Sequence, residues 1–271
     1  MSEVDEQELL ALARDAARAA AAELTSRYGQ VIRNIHAKST PTDPASEADF
    51  EAEAVIRRLL AERRPHDAIL GEEEGETGHG ELRWLVDPLD GTVNFLYGIP
   101  AFAVSIACED ASGTLAGVVL DPIREEWFEA TRSGPATLNG SEISGSTRSD
   151  LATSMVATGF GYEAELRERQ SAVLSRVLPR ARDIRRFGAA ALDLAWCACG
   201  RFDAYYERGV KPWDIAAGAL ICARAGLEVR ELSAAGPDPK GVLVAPGAIV
   251  DELFGLVAGE PERALRPSPR A

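Results

Sequence analysis

The chain has 271 residues, of which 46% are hydrophobic and 27% charged; this composition excludes a disordered polymer and fits one large domain or two small ones. No uncharged apolar run reaches the roughly 18 residues that a membrane helix needs. The formal net charge is -14, from 29 basic and 43 acidic side chains. That field repels phosphate backbones, so nucleic acid is not an expected partner, while the same carboxylates could hold metal ions.

The start, Met1-Ser2-Glu3-Val4-Asp5-Glu6, is acidic and does not read as a signal peptide. Residues 5 to 28 are rich in Ala, Leu, Glu and Arg and lack Gly and Pro, which predicts a long helix with an Ala-rich packing face. A turn-rich stretch runs from Lys38 to Pro44. Ser46 then opens a second helix with Asp49 as its capping partner. Ala52, Val55, Ile56, Leu59 and Leu60 form one face of it. From residue 68, short apolar runs separated by turn residues read as strands at 68–70, 82–86, 102–108, 115–120 and 126–130. In the last, Trp127, Glu129 and Thr131 alternate with Phe128 and Ala130, the pattern of a half-exposed edge. Residues 134–145 read as a polar loop.

The second half alternates. Strands are predicted at 154–157, 183–186, 202–206, Val229 and 242–245, and helices at 163–177, 189–198, 215–225 and 251–257. Interleaved elements of this kind imply a layered α/β architecture. A boundary near residue 150 separates an N-terminal α+β half (1–150) from a C-terminal α/β half (151–258), and the Pro-rich residues 259–271 read as a loose tail. The thiols Cys108, Cys197, Cys199 and Cys222 form no CxxC or zinc pattern and suit a reducing cytoplasm.

Three acidic groups stand beside predicted strand ends or helix starts, where α/β folds place ligands. They are Glu72, Glu73 and Glu74 after Gly71; Asp87 and Asp90 in Asp87-Pro88-Leu89-Asp90-Gly91-Thr92; and Asp214 in Lys211-Pro212-Trp213-Asp214. Each alone has a plain structural reading. The glutamates suit a solvated loop, Asp90-Gly91 a hairpin turn, Asp214 a helix cap, and Asp49 a capping box. Together they say more. Pro88 stiffens the short loop that holds Asp87 and Asp90. Two carboxylates ~4 Å apart repel by roughly 4 kcal/mol at an effective dielectric near 20, so a proton or a cation must sit between them. No His or Cys accompanies them, and oxygen ligands suit Mg²⁺ or Mn²⁺ rather than zinc. If a helical turn starts at Gly91-Thr92-Val93-Asn94, the amides of Gly91 and Thr92 face an anion. Metal beside such amides makes a site for a phosphate monoester.

These residues resemble a known family, the inositol monophosphatases. Asp87-Pro88-Leu89-Asp90-Gly91-Thr92-Val93-Asn94-Phe95 is similar to its first signature and Trp213-Asp214-Ile215-Ala216-Ala217-Gly218 to its second. Gly71-Glu72-Glu73 stands where that family has a glutamate ligand, and Lys38-Ser39 through Asp43, with Asp49, matches its N-terminal pattern. The resemblance implies an αβαβα sandwich of the inositol monophosphatase and fructose-1,6-bisphosphatase type, a homodimer, lithium inhibition, and two or three Mg²⁺ (or Mn²⁺) ions per site. It implies metal ligation by Glu72, Asp87, Asp90, Asp214 and the carbonyl of Leu89. Glu72, Thr92 and Asp49 become catalytic, the last two orienting the attacking water. Gly91, Thr92, Gly188, Ala189, Ala190, Glu207 and Asp214 would contact substrate. Two departures stand out. Ala189 replaces a frequent Ser or Thr, which removes a hydroxyl from the alcohol pocket. Lys211 precedes the second signature and reads as a charge offset for the acidic site.

The implied reaction is direct in-line hydrolysis without a phosphoenzyme; an aspartyl-phosphate route through Asp87 is the weaker reading. Inositol monophosphate is the first substrate. Histidinol phosphate, fructose 1,6-bisphosphate and 3′-phosphoadenosine 5′-phosphate are the alternatives. A non-catalytic interaction protein on the same fold is the reading from another class, and the complete ligand set argues against it. The basic run 180–186 reads as a solvated face.

Overall fold

The computed structural model describes residues 5–30, 35–38, 40 and 44–259. The acidic start, much of the predicted turn before Pro44 and the tail from residue 260 lie outside the described residues.

The N-terminal part holds α1 (Glu6–Arg27), β1 (His36–Ala37), β2 (Pro44–Ala45), α2 (Glu47–Arg63), β3 (Ala68–Gly71), β4 (Gly75–Thr77), β5 (Arg83–Asp90) and α3 (Thr92–Leu96). A meander follows, β6 (Ala103–Asp110), β7 (Gly113–Asp121), β8 (Glu126–Thr131), β9 (Thr137–Leu138) and β10 (Ser141–Glu142). The remainder is β11 (Met155–Thr158), α4 (Ala164–Val177), β12 (Asp183–Arg185), α5 (Ala190–Ala198), β13 (Ala204–Arg208), α6 (Pro212–Arg224), β14 (Glu228–Leu232), β15 (Gly241–Ala245) and α7 (Val250–Ala258).

Eight strands pair in the order β10-β9-β8-β7-β6-β5-β3-β4, and five in the order β12-β11-β13-β15-β14. Helices α1 and α2 cover one face of the larger sheet. Helices α5 and α6 fill the space between the two sheets, and α4 and α7 cover the outer face of the smaller one. The result is the αβαβα sandwich. Composition explains each layer. The stripe Ala13, Ala16, Ala17 and Ala20 is fully enclosed, so small side chains let α1 lie close to its neighbours. Helix α5 is buried from Ala191 to Ala198 because sheets flank it on both sides, and apart from Asp193 its buried side chains are apolar.

Two expectations need correction. Strand β8 is not a sheet edge. It pairs with β7 and β9, and α1 covers the face carrying Glu129, whose carboxylate meets Arg14 Nε at 2.6 Å. The stretch 134–145 is not a plain loop, because β9 and β10 form a small hairpin. Asn139 (φ 50°) and Gly140 (φ 78°) make its turn, both in the left-handed region that such turns require. Strand β5 also runs four residues beyond its predicted end, to Asp90, with a shift of register against β6 between Asp87 and Asp90. Irregularities of this kind re-aim side chains beside active sites.

Candidate active site

The parallel pair β3 and β5 ends on one side of the large sheet, and both acidic loops leave from there. Glu72 donates its amide to the Val86 carbonyl at 3.1 Å, which fixes the first loop to the second. Beneath it lies a buried pair from α2. Glu53 accepts from the amides of Glu73 (2.8 Å) and Glu74 (3.0 Å), and Arg57 Nε donates to Glu53 at 2.7 Å. Arg57 also donates to Thr77 Oγ1 at 2.9 Å and to the Gly75 carbonyl at 2.5 Å. The three glutamates therefore do not form a free solvated loop. They are carried on a rigid turn, with Glu72 facing the cavity.

On the second loop, Asp87 is buried and its Oδ1 accepts the Leu89 amide at 3.0 Å, a turn that Pro88 stiffens. Gly91 begins α3 at φ +93°, a conformation that side chains rarely adopt. Space demands glycine as well, since a Cβ there would lie 3.0 Å from the Ala101 carbonyl oxygen. Asn94 locks the turn by donating to the carbonyls of Ala101 and Phe187, each at 2.7 Å. Thr92 Oγ1 lies 2.9 Å from Asp49 Oδ1 and 3.1 Å from the Leu89 carbonyl oxygen. The other oxygen of Asp49 accepts from the Ser46 amide (2.8 Å) and hydroxyl (2.7 Å). Asp49 thus closes the capping box of α2, whose N-cap is Ser46, and also meets Thr92.

Asp214 sits in the first turn of α6, two residues after Pro212, and accepts the Lys211 amide at 2.7 Å. That turn brings it to the other acidic groups. Carboxylate oxygens of Glu72, Asp87 and Asp214 lie within 4.8 Å of one another. Asp90 stands apart from this trio. Its oxygens accept the first amides of α5, from Ala190 (2.9 Å), Ala191 (2.8 Å) and Leu192 (3.3 Å). A carboxylate there also complements the positive end of the helix.

Burial dominates the electrostatics. It pushes the Asp87 carboxyl well above its ordinary range, and the charges of Glu72, Asp90 and Asp214 add to that. Burial raises Asp214 in the same way, with Glu72 next in effect. Asp90 is pushed up to about 7 by burial, against the pull of its three amides. Lys38 provides local compensation: its Nζ donates to Glu72 Oε1 at 2.8 Å and also to Glu73. Burial raises Glu73 to about 7 despite that contact. Converging, buried carboxylate oxygens of this kind fit a hard metal ion with oxygen ligands.

These groups open into a cavity of about 460 Å³. Glu72, Asp87, Leu89, Asp90, Gly91, Thr92 and Asp214 form one end of its wall; Gly188, Ala190, Glu207 and Lys211 belong to it as well. Ala189 does not. It is buried behind Gly91, with its Cβ 3.2 Å from where a Gly91 Cβ would stand. A methyl at that position therefore removes nothing from the lining. Arg186, expected on a solvated face, reaches the same wall, standing over Phe160 at 5.9 Å from the ring centre. Its neighbours in the basic run behave as surface groups: Arg180 pairs with Glu252 at 2.5 Å and Arg185 with Asp183 at 2.6 Å.

The inositol monophosphatase family model matches residues 5–258. The chain belongs to the inositol monophosphatase family. Membership makes it a phosphoric monoester hydrolase. Over 257 residues the chain is 44% identical to the inositol-1-monophosphatase SuhB of Mycobacterium tuberculosis, covering 90% of this chain and 87% of that one. It is 39% identical over 221 residues to the Nus factor SuhB of Salmonella typhimurium, covering 80% and 83%. Among solved structures, the extragenic suppressor protein SuhB of Bartonella henselae superposes with a TM-score of 0.85 at 34% identity, over 95% of this chain and 100% of that one. The inositol monophosphatase of Anabaena superposes at 0.83 with 34% identity, over 96% and 99%. Among the described residues, no helix is long and apolar enough to cross a membrane.

Proposed function

We propose that this inositol monophosphatase family member hydrolyses small phosphate monoesters, inositol monophosphate first, with Mg²⁺ held by Glu72, Asp87, Asp214, the Leu89 carbonyl and Asp90. The observation that carries the reading is the convergence of the Glu72, Asp87 and Asp214 oxygens within 4.8 Å, beside the Thr92–Asp49 pair. Divalent cations bound there supply Lewis-acid polarisation of the phosphoryl group and acidify water. Everything else falls to the chain. Thr92 has one hydroxyl proton, and an ionised Asp49 draws it. Its lone pairs then aim a water at the phosphorus and receive a proton from it, while its own proton moves to Asp49 Oδ1. Burial raises the affinity of Asp49 for protons, which favours that transfer. The first amides of α3 have no helical carbonyl to bond, and Gly91 and Thr92 stand in the wall, so they suit the equatorial phosphoryl oxygens. Glu207, at the wall, accepts from hydroxyls of the alcohol half.

Lithium inhibition, a homodimeric state and a cytoplasmic setting form part of the same proposal, on the strength of the family. Phosphate release from inositol 1-phosphate, histidinol phosphate, fructose 1,6-bisphosphate and 3′-phosphoadenosine 5′-phosphate, each with Mg²⁺ and with EDTA, tests it. Mg²⁺-dependent turnover is expected, fastest on inositol 1-phosphate. Turnover insensitive to EDTA, or none on any ester, rejects the reading.

A further inference from the structure

Glu207 occupies an unfavourable position for a carboxylate. Burial raises its affinity for a proton, and two further buried carboxyls, Asp90 and Asp193, lie in the same region. Asp193 is fully enclosed on α5, and neither of its carboxylate oxygens has a hydrogen-bond partner. Against burial stand the Arg186 guanidinium, whose charge favours the ionised carboxylate, and the Tyr205 hydroxyl; what fixes the orientation of the carboxylate is geometry. Two features supply it. Tyr205, two residues earlier on β13 and so on the same face of the sheet, donates its hydroxyl to Glu207 Oε2 at 2.6 Å. On the other side, Gly159 lets the carboxylate lie against bare backbone, since a Cβ there would stand 1.8 Å from Oε2 and 2.4 Å from Oε1. Tyr205 is completely buried, in the core between the two sheets. Burial and the nearby Glu207 keep its hydroxyl protonated, so it remains a donor at any ordinary pH.

We propose that Tyr205 is a positioning residue that clamps Glu207 as a fixed hydrogen-bond acceptor, and that this clamp selects phosphate esters whose alcohol carries free hydroxyls. The inference rests on the phosphatase reading and goes beyond it, to a residue that touches no ligand. Among the described residues only Tyr205 donates to the Glu207 carboxylate, through Oε2, so Oε1 is left to accept from the ligand. An acceptor held in place discriminates strongly. A site built to bond a hydroxyl leaves a buried group unpaired when the hydroxyl is missing, and an acceptor already in position loses no freedom on binding.

The test compares kcat/KM for inositol 1-phosphate with kcat/KM for 4-nitrophenyl phosphate, whose alcohol has no aliphatic hydroxyl. In Tyr205→Phe the ratio is expected to fall about tenfold, through a higher KM for the inositol ester, as expected for the loss of one well-placed hydrogen bond to a charged group. Glu207→Gln should show a fall at least as large, and adding Tyr205→Phe to it should change the ratio no further, since the two residues act as a unit. Tyr206→Phe is the control. That side chain belongs to the opposite core, away from the Glu207 carboxylate, and loss of its hydroxyl should leave the ratio alone. An unchanged ratio in Tyr205→Phe, or an additive loss in the double variant, overturns the clamp. If the wild-type chain hydrolyses neither ester with Mg²⁺, the phosphatase reading itself falls and takes the clamp with it. A wild type that works on both esters isolates the question of Tyr205.

Discussion

The hydroxyl of Thr92 is the smallest unit on which the proposed chemistry turns. It has one proton and two oxygen neighbours, Asp49 Oδ1 at 2.9 Å and the Leu89 carbonyl at 3.1 Å. Thr92→Ala removes the relay but leaves the carboxylates of Glu72, Asp87 and Asp214 in place. The turnover number should drop about 10²- to 10⁴-fold, the span usual for one acid–base group. Mg²⁺ binding followed by calorimetry should change little, and Thr92→Ser should recover most of the rate. Loss of ion binding in Thr92→Ala would make the hydroxyl structural instead. Asp49→Asn probes the same relay from behind and tests a second property. Its Oδ2 accepts twice from Ser46, so the variant should also loosen the start of α2 by about 1 kcal/mol in a denaturant titration.

At the scale of elements, the turn carrying Glu72 depends on α2, which contributes no side chain to the cavity wall. Glu53 is fully enclosed and Arg57 nearly so; removing one member leaves the other as a buried charge. Arg57→Ala should cost about 3–5 kcal/mol in unfolding free energy and weaken Mg²⁺ binding, because the amides of Glu73 and Glu74 lose their fixed acceptor. A loss below about 1 kcal/mol would show that the turn holds itself. This pair also marks what the sequence could not disclose. Asp87, Asp90 and Thr92 were legible because their chemistry is contiguous, and Asp214 because Pro212 marks a helix start beside it. Glu53 and Arg57 are four apart on a helix, where such a pair reads as an ordinary surface bridge. Only the tertiary packing of α2 under the β3 turn buries them. Arg186 and Tyr205 were missed for the same reason, since nothing local says that one reaches the cavity or that the other reaches Glu207. The β9–β10 hairpin is different. Asn139-Gly140 is a local signal for a tight turn and was there to be read.

Across the whole molecule, the fold gathers carboxyls whose proton affinities burial has raised: Asp49, Asp87, Asp90, Asp214, Glu73 and Glu207. A carboxyl with a raised value binds more protons folded than unfolded, so its contribution to stability falls as pH rises. The window opens near the unfolded value of about 4. For Asp90 and Glu73 it closes near about 7. Metal-free protein should therefore lose stability across this interval, while the Lys38 ammonium, raised by Glu72 and Glu73, keeps its share throughout. Divalent cations bind the deprotonated form and reverse the trend, because a ligand that binds only the folded state stabilises it by RT ln(1 + [L]/Kd). The increase in Tm produced by millimolar Mg²⁺ over EDTA should accordingly be several-fold larger at about pH 7.5 than at about pH 5. Asp214→Asn should remove most of that difference, since it takes one of three converging charges out of the cluster. An Mg²⁺ shift of equal size at both pH values would place the ion elsewhere and detach the buried carboxylates from the chemistry assigned to them.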